Sequence, residues 1–72
     1  MTMTKAEHLA WAKMRALDRL EHSQISLAWA SFQSDLGKHP DWKISRQQSK
    51  LGTEIVMQQS DLAMKNFINS FE

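Results

Sequence analysis

The sequence predicts an all-α protein of four short helices forming two antiparallel helical hairpins. Three observations lead there. No stretch alternates apolar and polar residues as a half-buried strand would. From Thr4 to His22 the chain holds neither Gly nor Pro, and Ala, Leu, Met, Lys, Arg and Glu dominate it, all residues of high helix propensity. Finally, Ser26-Leu27-Ala28-Trp29-Ala30-Ser31-Phe32 returns thirty-five positions later as Asp61-Leu62-Ala63-Met64-Lys65-Asn66-Phe67, with Leu, Ala and Phe in register. A period in the mid-thirties is the length of one helix–turn–helix unit. Residues 1–72 then form a single helical domain, hairpin one spanning about 4–37 and hairpin two about 43–71.

The first helix opens on Thr4-x-x-Glu7, the form of a capping box, in which hydroxyl and carboxylate satisfy free amides. It is expected to run to about His22. At 100° per residue, Ala6, Leu9, Ala10, Leu17 and Leu20 fall on one stripe, with Glu7, His8, Arg15 and Asp18 opposite. Ser23 is the candidate N-cap of a second helix, and Gly37 its candidate C′ residue. Ile25, Ala28, Trp29, Phe32 and Leu36 follow the spacing of a buried face, and the short connection makes the two helices adjacent. Pro40 ends the hairpin, because it cannot continue a helix and biases His39 toward extended backbone.

The third helix is expected to start between Asp41 and Ser45 and to reach Met57 or Gln58, burying Ile44, Leu51 and Ile55. Gly52 inside it costs about 1 kcal/mol relative to Ala, which points to a packing constraint or a bend. Ser60 is the candidate N-cap of the fourth helix, and Ala63, Met64, Phe67, Ile68 and Phe71 form its apolar face. Asp61 and Lys65 stand as an i,i+4 pair with the acid on the N-terminal side.

Size and composition narrow the function classes. A chain of 72 residues is near the lower limit for a single self-sufficient core. Without cysteine, neither disulfides nor thiolate-bound metal can staple it. Stability must come from helix packing, from self-association or from a partner, and a homodimer is consistent with three Trp and three Phe in so short a chain. Nine basic and eight acidic residues are interleaved, for a net charge of +1. That balance suits neither an acidic nucleic-acid mimic nor a DNA clamp with a basic stripe. No apolar run approaches a membrane span. Met1-Thr2-Met3-Thr4-Lys5 lacks the apolar segment of a secretory signal, so a cytoplasmic location is the expectation.

Catalytic and metal chemistry find no support. His8 and His22 are four turns apart, roughly 21 Å along one helix, too far to share a metal. His39 is suitably placed to interact with the C-terminal end of the second helix. The serines stand in no Gly-x-Ser-x-Gly elbow, and the two glycines build no phosphate loop. No catalytic residue, metal ligand or cofactor site is assigned, and the chain is not expected to be an enzyme.

Two candidate binding surfaces remain. Trp11 projects away from the Leu9/Leu17/Leu20 stripe, beside Met14 and Arg15. Either it packs under Met3 or against the third or fourth helix, or Arg15 shields it through a cation–π contact, or it is an exposed anchor. As an anchor, Trp11, Met14 and Arg15 combine residue types that dominate binding hot spots, and Leu27 extends the patch. The alternative surface is a basic ridge of Lys43, Arg46 and Lys50 beside Trp42, which would engage the phosphates of a nucleic acid.

Two resemblances add to this reading. Ala28-x-x-x-Phe32 followed by Pro40 resembles the second half of a tetratricopeptide unit, which implies a tetratricopeptide-like or small orthogonal bundle. Trp11-x-x-Met14-Arg15 departs from the first half of such a unit, lacking its Leu-Gly and later Tyr. The stretch from Thr4 to Leu17, then Ser34-Asp35-Leu36-Gly37-Lys38-His39-Pro40, and finally Phe67-Ile68-Asn69-Ser70-Phe71 resemble a family of small uncharacterised proteins encoded by tailed bacteriophages. Between Asp41 and Gln59 the chain departs from that family, carrying Arg46-Gln47-Gln48-Ser49-Lys50 where a Met- and Leu-rich helix is usual. The resemblance implies a phage or prophage origin, the host cytoplasm as location, and host or phage proteins as partners. It implies no activity, and no functional residue is carried over from it.

Overall fold

The computed structural model describes residues 3–71; Met1 and Thr2, part of the N-terminal segment considered above, lie outside the described residues, as does Glu72. Helices α1 (Lys5–Glu21), α2 (Ile25–Gly37), α3 (Arg46–Gln58) and α4 (Asp61–Asn69) follow in order, and there is no strand among the described residues. Local chemistry starts three of the four. Thr4 Oγ1 accepts the Glu7 amide while Glu7 Oε1 accepts the Thr4 amide, both at 3.1 Å. Ser45 and Gln48 repeat the same reciprocal box at 3.0 Å, which fixes the start of α3 at Arg46. Ser60 Oγ accepts the Ala63 amide at the head of α4. The bonds from the Thr4 amide and hydroxyl hold the Glu7 carboxyl below its ordinary range. Its contribution to α1 is therefore present above the ordinary Glu range and is lost as pH falls through the depressed value.

The second helix starts differently from expectation. Ser23 is not its N-cap; Gln24 holds that place with no side-chain hydrogen bond. Ser23 instead closes α1, in left-handed backbone at φ 58°. The Gln24 amide reaches the Arg19 carbonyl and the Ser23 amide reaches Leu20, the paired bonds of a Schellman end. Gln59 ends α3 in the same region, at φ 54°. Gly37, expected as a left-handed C′ residue, is the last residue of α2 and has no positive φ.

The face of α1 is also rotated from the expected stripe. Leu9, Ala12, Ala16 and Leu20 are buried, whereas Ala6 and Ala10 are exposed and Leu17 is half-buried. The reason is steric: Ala12, Ala16 and Ala28 are all fully buried, so small side chains line the close approach of α1 and α2. His8, expected on the outer face, is buried as well. The two helices run back along one another, with His8 near the start of α1 beside Asp35 near the end of α2.

Above this pair, four aromatic rings form a closed circuit. Trp29 meets Phe32 at 6.1 Å and Phe67 at 5.4 Å between centroids, while Phe71 stands edge-on to Phe32 at 4.9 Å and to Phe67 at 5.3 Å. Offset and edge-to-face pairs of this kind contribute about 0.5–1.5 kcal/mol each beyond their buried area. The expected face of α4 takes part: Met64, Ile68 and Phe71 are buried, and Ala63 and Phe67 half-buried. Helix α3 turns Gly52 and Ile55 inward and leaves Leu51, expected in the core, 45% exposed. Ile44 precedes the Ser45 cap and packs against the core from the loop. Gly52 meets a packing constraint rather than a bend, since a Cβ there would lie 2.3 Å from Trp29 Cε2 and Cζ2.

The internal repeat therefore carries the phase of burial but not its depth. Leu27 and Leu62 are both exposed, and Trp29 and Met64 both buried, yet Ala28 is fully enclosed while Ala63 is only partly so. The pairs differ in length too: α3 and α4 have 13 and 9 residues against 17 and 13 for α1 and α2.

These contacts set opposite signs for substitutions at similar residues. Gly52→Ala gains about 1 kcal/mol of helix propensity but overpacks a fixed indole, at a typical cost of about 1–3 kcal/mol. The net effect is a lower melting temperature. Gly37→Ala, with nothing within 4 Å of the added Cβ, stabilises by about 0.4–1 kcal/mol. Ser23→Gly relieves left-handed backbone and stabilises by about 1 kcal/mol. Thermal unfolding of the three single variants, followed by circular dichroism, checks all three signs.

Candidate functional site

The first three turns of α1 and the end of α2 bring together His8, Trp11, Arg15, Asp35, Lys38 and His39. His8, Trp11 and Arg15 are spaced i, i+3, i+7 and so share one face of α1. Asp35 and Lys38, one turn apart, come from the end of α2, and His39 from the loop that follows. At the centre is Asp35, 2% exposed. Its carboxylate takes Arg15 Nε at 2.9 Å, Lys38 Nζ at 3.4 Å and the Ser31 hydroxyl at 3.4 Å. The Asp35 carbonyl accepts from His8 Nε2; a carbonyl can only accept, so this nitrogen carries the proton.

Trp11 roofs the arrangement. The Arg15 guanidinium lies 4.9 Å and the Lys38 ammonium 5.8 Å from its ring centroid, and the His8 ring packs at 5.3 Å. His39 stands 5.2 Å from His8, and its Nδ1 accepts the Asp41 amide. Every group already has a structural partner. Asp35 is paired with two cations, and His8 is tied to a backbone carbonyl. Among the described residues no group of three His, Asp or Glu side chains is arranged to hold a metal ion.

Trp11 and Arg15 are thus brought together as a cation–π pair, the shielded arrangement among those considered above, and Trp11 is half-buried. Met14 lies on the outer side of α1 and is 64% exposed. Leu27, 46% exposed, is two turns from Asp35, roughly 12 Å along α2, and lines a shallow groove with Val56 and Gln59. On the alternative surface, Lys43, Arg46 and Lys50 are exposed. Trp42 is turned away toward α1, where its Nε1–H donates to the Lys5 carbonyl at 3.1 Å and the Lys5 ammonium sits 4.6 Å from the ring centroid.

Sequence reasoning missed Asp35, Lys38 and the burial of His8. The sequence carried no signal for them, because the expected stripe of α1 put His8 and Arg15 opposite the seam they in fact face.

The fold and this seam define a small all-α protein with a cation–aromatic patch. No family model, no curated protein and no solved structure matches the chain.

Removing one side of the ion pair is not equivalent to removing the other. Arg15→Met leaves a buried carboxylate with only the exposed Lys38 and a hydroxyl, and is expected to cost about 1–3 kcal/mol. Asp35→Asn releases two cations that are already 43% and 61% exposed and can reach water, so its cost is expected below about 1 kcal/mol. Urea unfolding of both variants measures the difference, and an equal or reversed order contradicts the account.

Proposed function

We propose that this protein is a non-enzymatic, phage-type accessory protein that works by protein–protein binding and modulates a host or phage complex in the host cytoplasm. Its anchor is Trp11 with Met14 and Arg15, and Leu27 extends the surface. The observation that carries the reading is the state of Trp11. Its ring is half-buried and flanked by Arg15 and Lys38, and the long apolar side chain of Met14 is exposed one turn away. An aromatic already held in place loses little conformational freedom when a partner covers it, which raises affinity without new contacts. Trp, Arg and Met are also the residue types most enriched in binding interfaces. The resemblance to tailed-phage proteins supports the origin and the class of partner. A second copy of the chain is one such partner, and size-exclusion chromatography with light scattering tests for it.

The alternative, a small regulator binding nucleic acid through Trp42, Lys43, Arg46 and Lys50, draws support from the exposure of the three cations. It is weakened by Trp42, whose ring and N–H are engaged by Lys5. Salt separates the two readings. Three phosphate contacts imply roughly a 40-fold loss of affinity on a fourfold rise in salt, whereas an aromatic-anchored protein interface changes little.

Trp11→Ala is expected to keep the helical circular-dichroism spectrum and to lose less than the about 3–5 kcal/mol of a core Trp truncation, while abolishing retention of the partner. Met14→Asp, at a more exposed position, is expected to leave stability unchanged and to weaken retention as well. The measurement is affinity capture from bacterial lysate by immobilised wild type and the two variants, with mass spectrometry of what is held. If both variants hold the same proteins as wild type, in the same amounts, the anchor is wrongly placed.

A further inference from the structure

Trp42 is the shared wall of two open grooves. On one side a cavity of about 480 Å³ is lined by Lys5, Ala6, Leu9, Lys13 and Phe71. On the other a cavity of about 450 Å³ is lined by Gln33, Gly37, Lys43, Ile44 and Ser49. The floor is apolar: Leu9 and Phe71 belong to the core, and Trp42 and Ile44 pack against it. The rim is cationic. Three lysines border the grooves; among the described residues no acidic side chain lines either one and none of the three lysines forms an ion pair. Lys13 is held by the carbonyl oxygens of Asn69 and Phe71, both neutral acceptors.

The spacing along α1 is specific. Lys5, Leu9 and Lys13 stand at i, i+4 and i+8, a cation, an apolar side chain and a second cation over two turns, about 12 Å. A ligand complementary to this face presents carboxylates about two turns apart with apolar side chains between them.

We propose that the two grooves around Trp42 receive an acidic amphipathic helix of a partner protein, its apolar residues on the Leu9/Trp42/Phe71 floor and its carboxylates on Lys5, Lys13 and Lys43. This surface is separate from the Trp11 patch, and the inference stands whether or not that patch binds anything. A helix laid in a groove by an apolar stripe is a recurring mode of recognition, and complementary rim charges select the partner and speed its encounter. Nucleic acid fits less well. Phosphates gain nothing from an apolar floor, and Arg46 and Lys50 line neither groove.

The test uses the full chain and a synthetic, end-capped, fluorescein-labelled helix of about 16 residues, long enough to span both lysines of α1. It carries Leu along one stripe and Glu two turns apart at the edge of that stripe. Fluorescence anisotropy should show saturable binding, weakened about tenfold or more by Lys5→Glu, a change of about 1.4 kcal/mol. Lys43→Glu, which removes no hydrogen bond, should weaken it similarly, with circular dichroism confirming an intact fold. A peptide of identical composition with its Glu residues moved to the opposite face should bind about tenfold less tightly. The proposal is overturned if the two peptides bind alike, if both lysine variants bind as wild type, or if an oligothymidylate of similar length binds more tightly than the acidic helix.

Discussion

The contact between the Trp29 indole and the bare backbone of Gly52 holds the two halves of the molecule together. Trp29 comes from α2, Gly52 from α3, and the ring they seat is the first member of the circuit completed by Phe32, Phe67 and Phe71. A side chain at position 52 would displace the indole and so disturb its contacts with Phe32 and Phe67. The same seat leaves Trp29 Nε1 buried with no acceptor among the described residues. An unpaired buried N–H costs about 1–3 kcal/mol, so ring packing is being favoured over polar satisfaction at this position.

The seam on the far side of α1 and α2 follows a different logic. There the buried Asp35 and His8 are paired, with Asp35 collecting two partly exposed cations and a hydroxyl. Pairing of this kind adds little net stability once desolvation is counted, but it fixes geometry. The geometry it fixes is that of Trp11, whose ring rests on the same Arg15 that Asp35 holds. The candidate anchor is therefore rigid because of a charge buried beneath it.

Much of this was legible in the sequence wherever the deciding interaction is local. The Thr4/Glu7 box and the Ser60 cap are set within four residues, and the face of α4 is set by large apolar side chains that leave little choice. The rotation of α1 was not legible. Its alanines are scattered around the helix, so hydrophobicity weights several stripes alike, and only the approach of α2 selects Ala12 and Ala16. The burial of His8 depends on a carbonyl 27 positions away, which no pattern along α1 reveals. Gly37 was misplaced as a C′ residue and the left-handed ends were missed, whereas Gly52 was placed in its helix. Both glycines lie within helices, while Ser23 and Gln59 adopt positive φ. Gly52 serves close packing, and the helix ends follow the lengths of their connections. Of the candidate anchor residues, Trp11 and Arg15 were foreseeable as a pair from their i,i+4 spacing, but the Asp35 beneath them was not.

The grip of Lys13 on the carbonyls of Asn69 and Phe71 bears on the order in which the chain assembles. A helix of nine residues is too short to persist in water unaided, since isolated segments below about 12–15 residues are marginal. The stretch from Asp61 onward becomes helical only against a surface that α1 and α2 have already made. A ribosome making this protein thus leaves Trp29 and Phe32 uncovered until that stretch arrives. How long a nascent chain stays sticky is set by when the Asp61–Asn69 segment is synthesised.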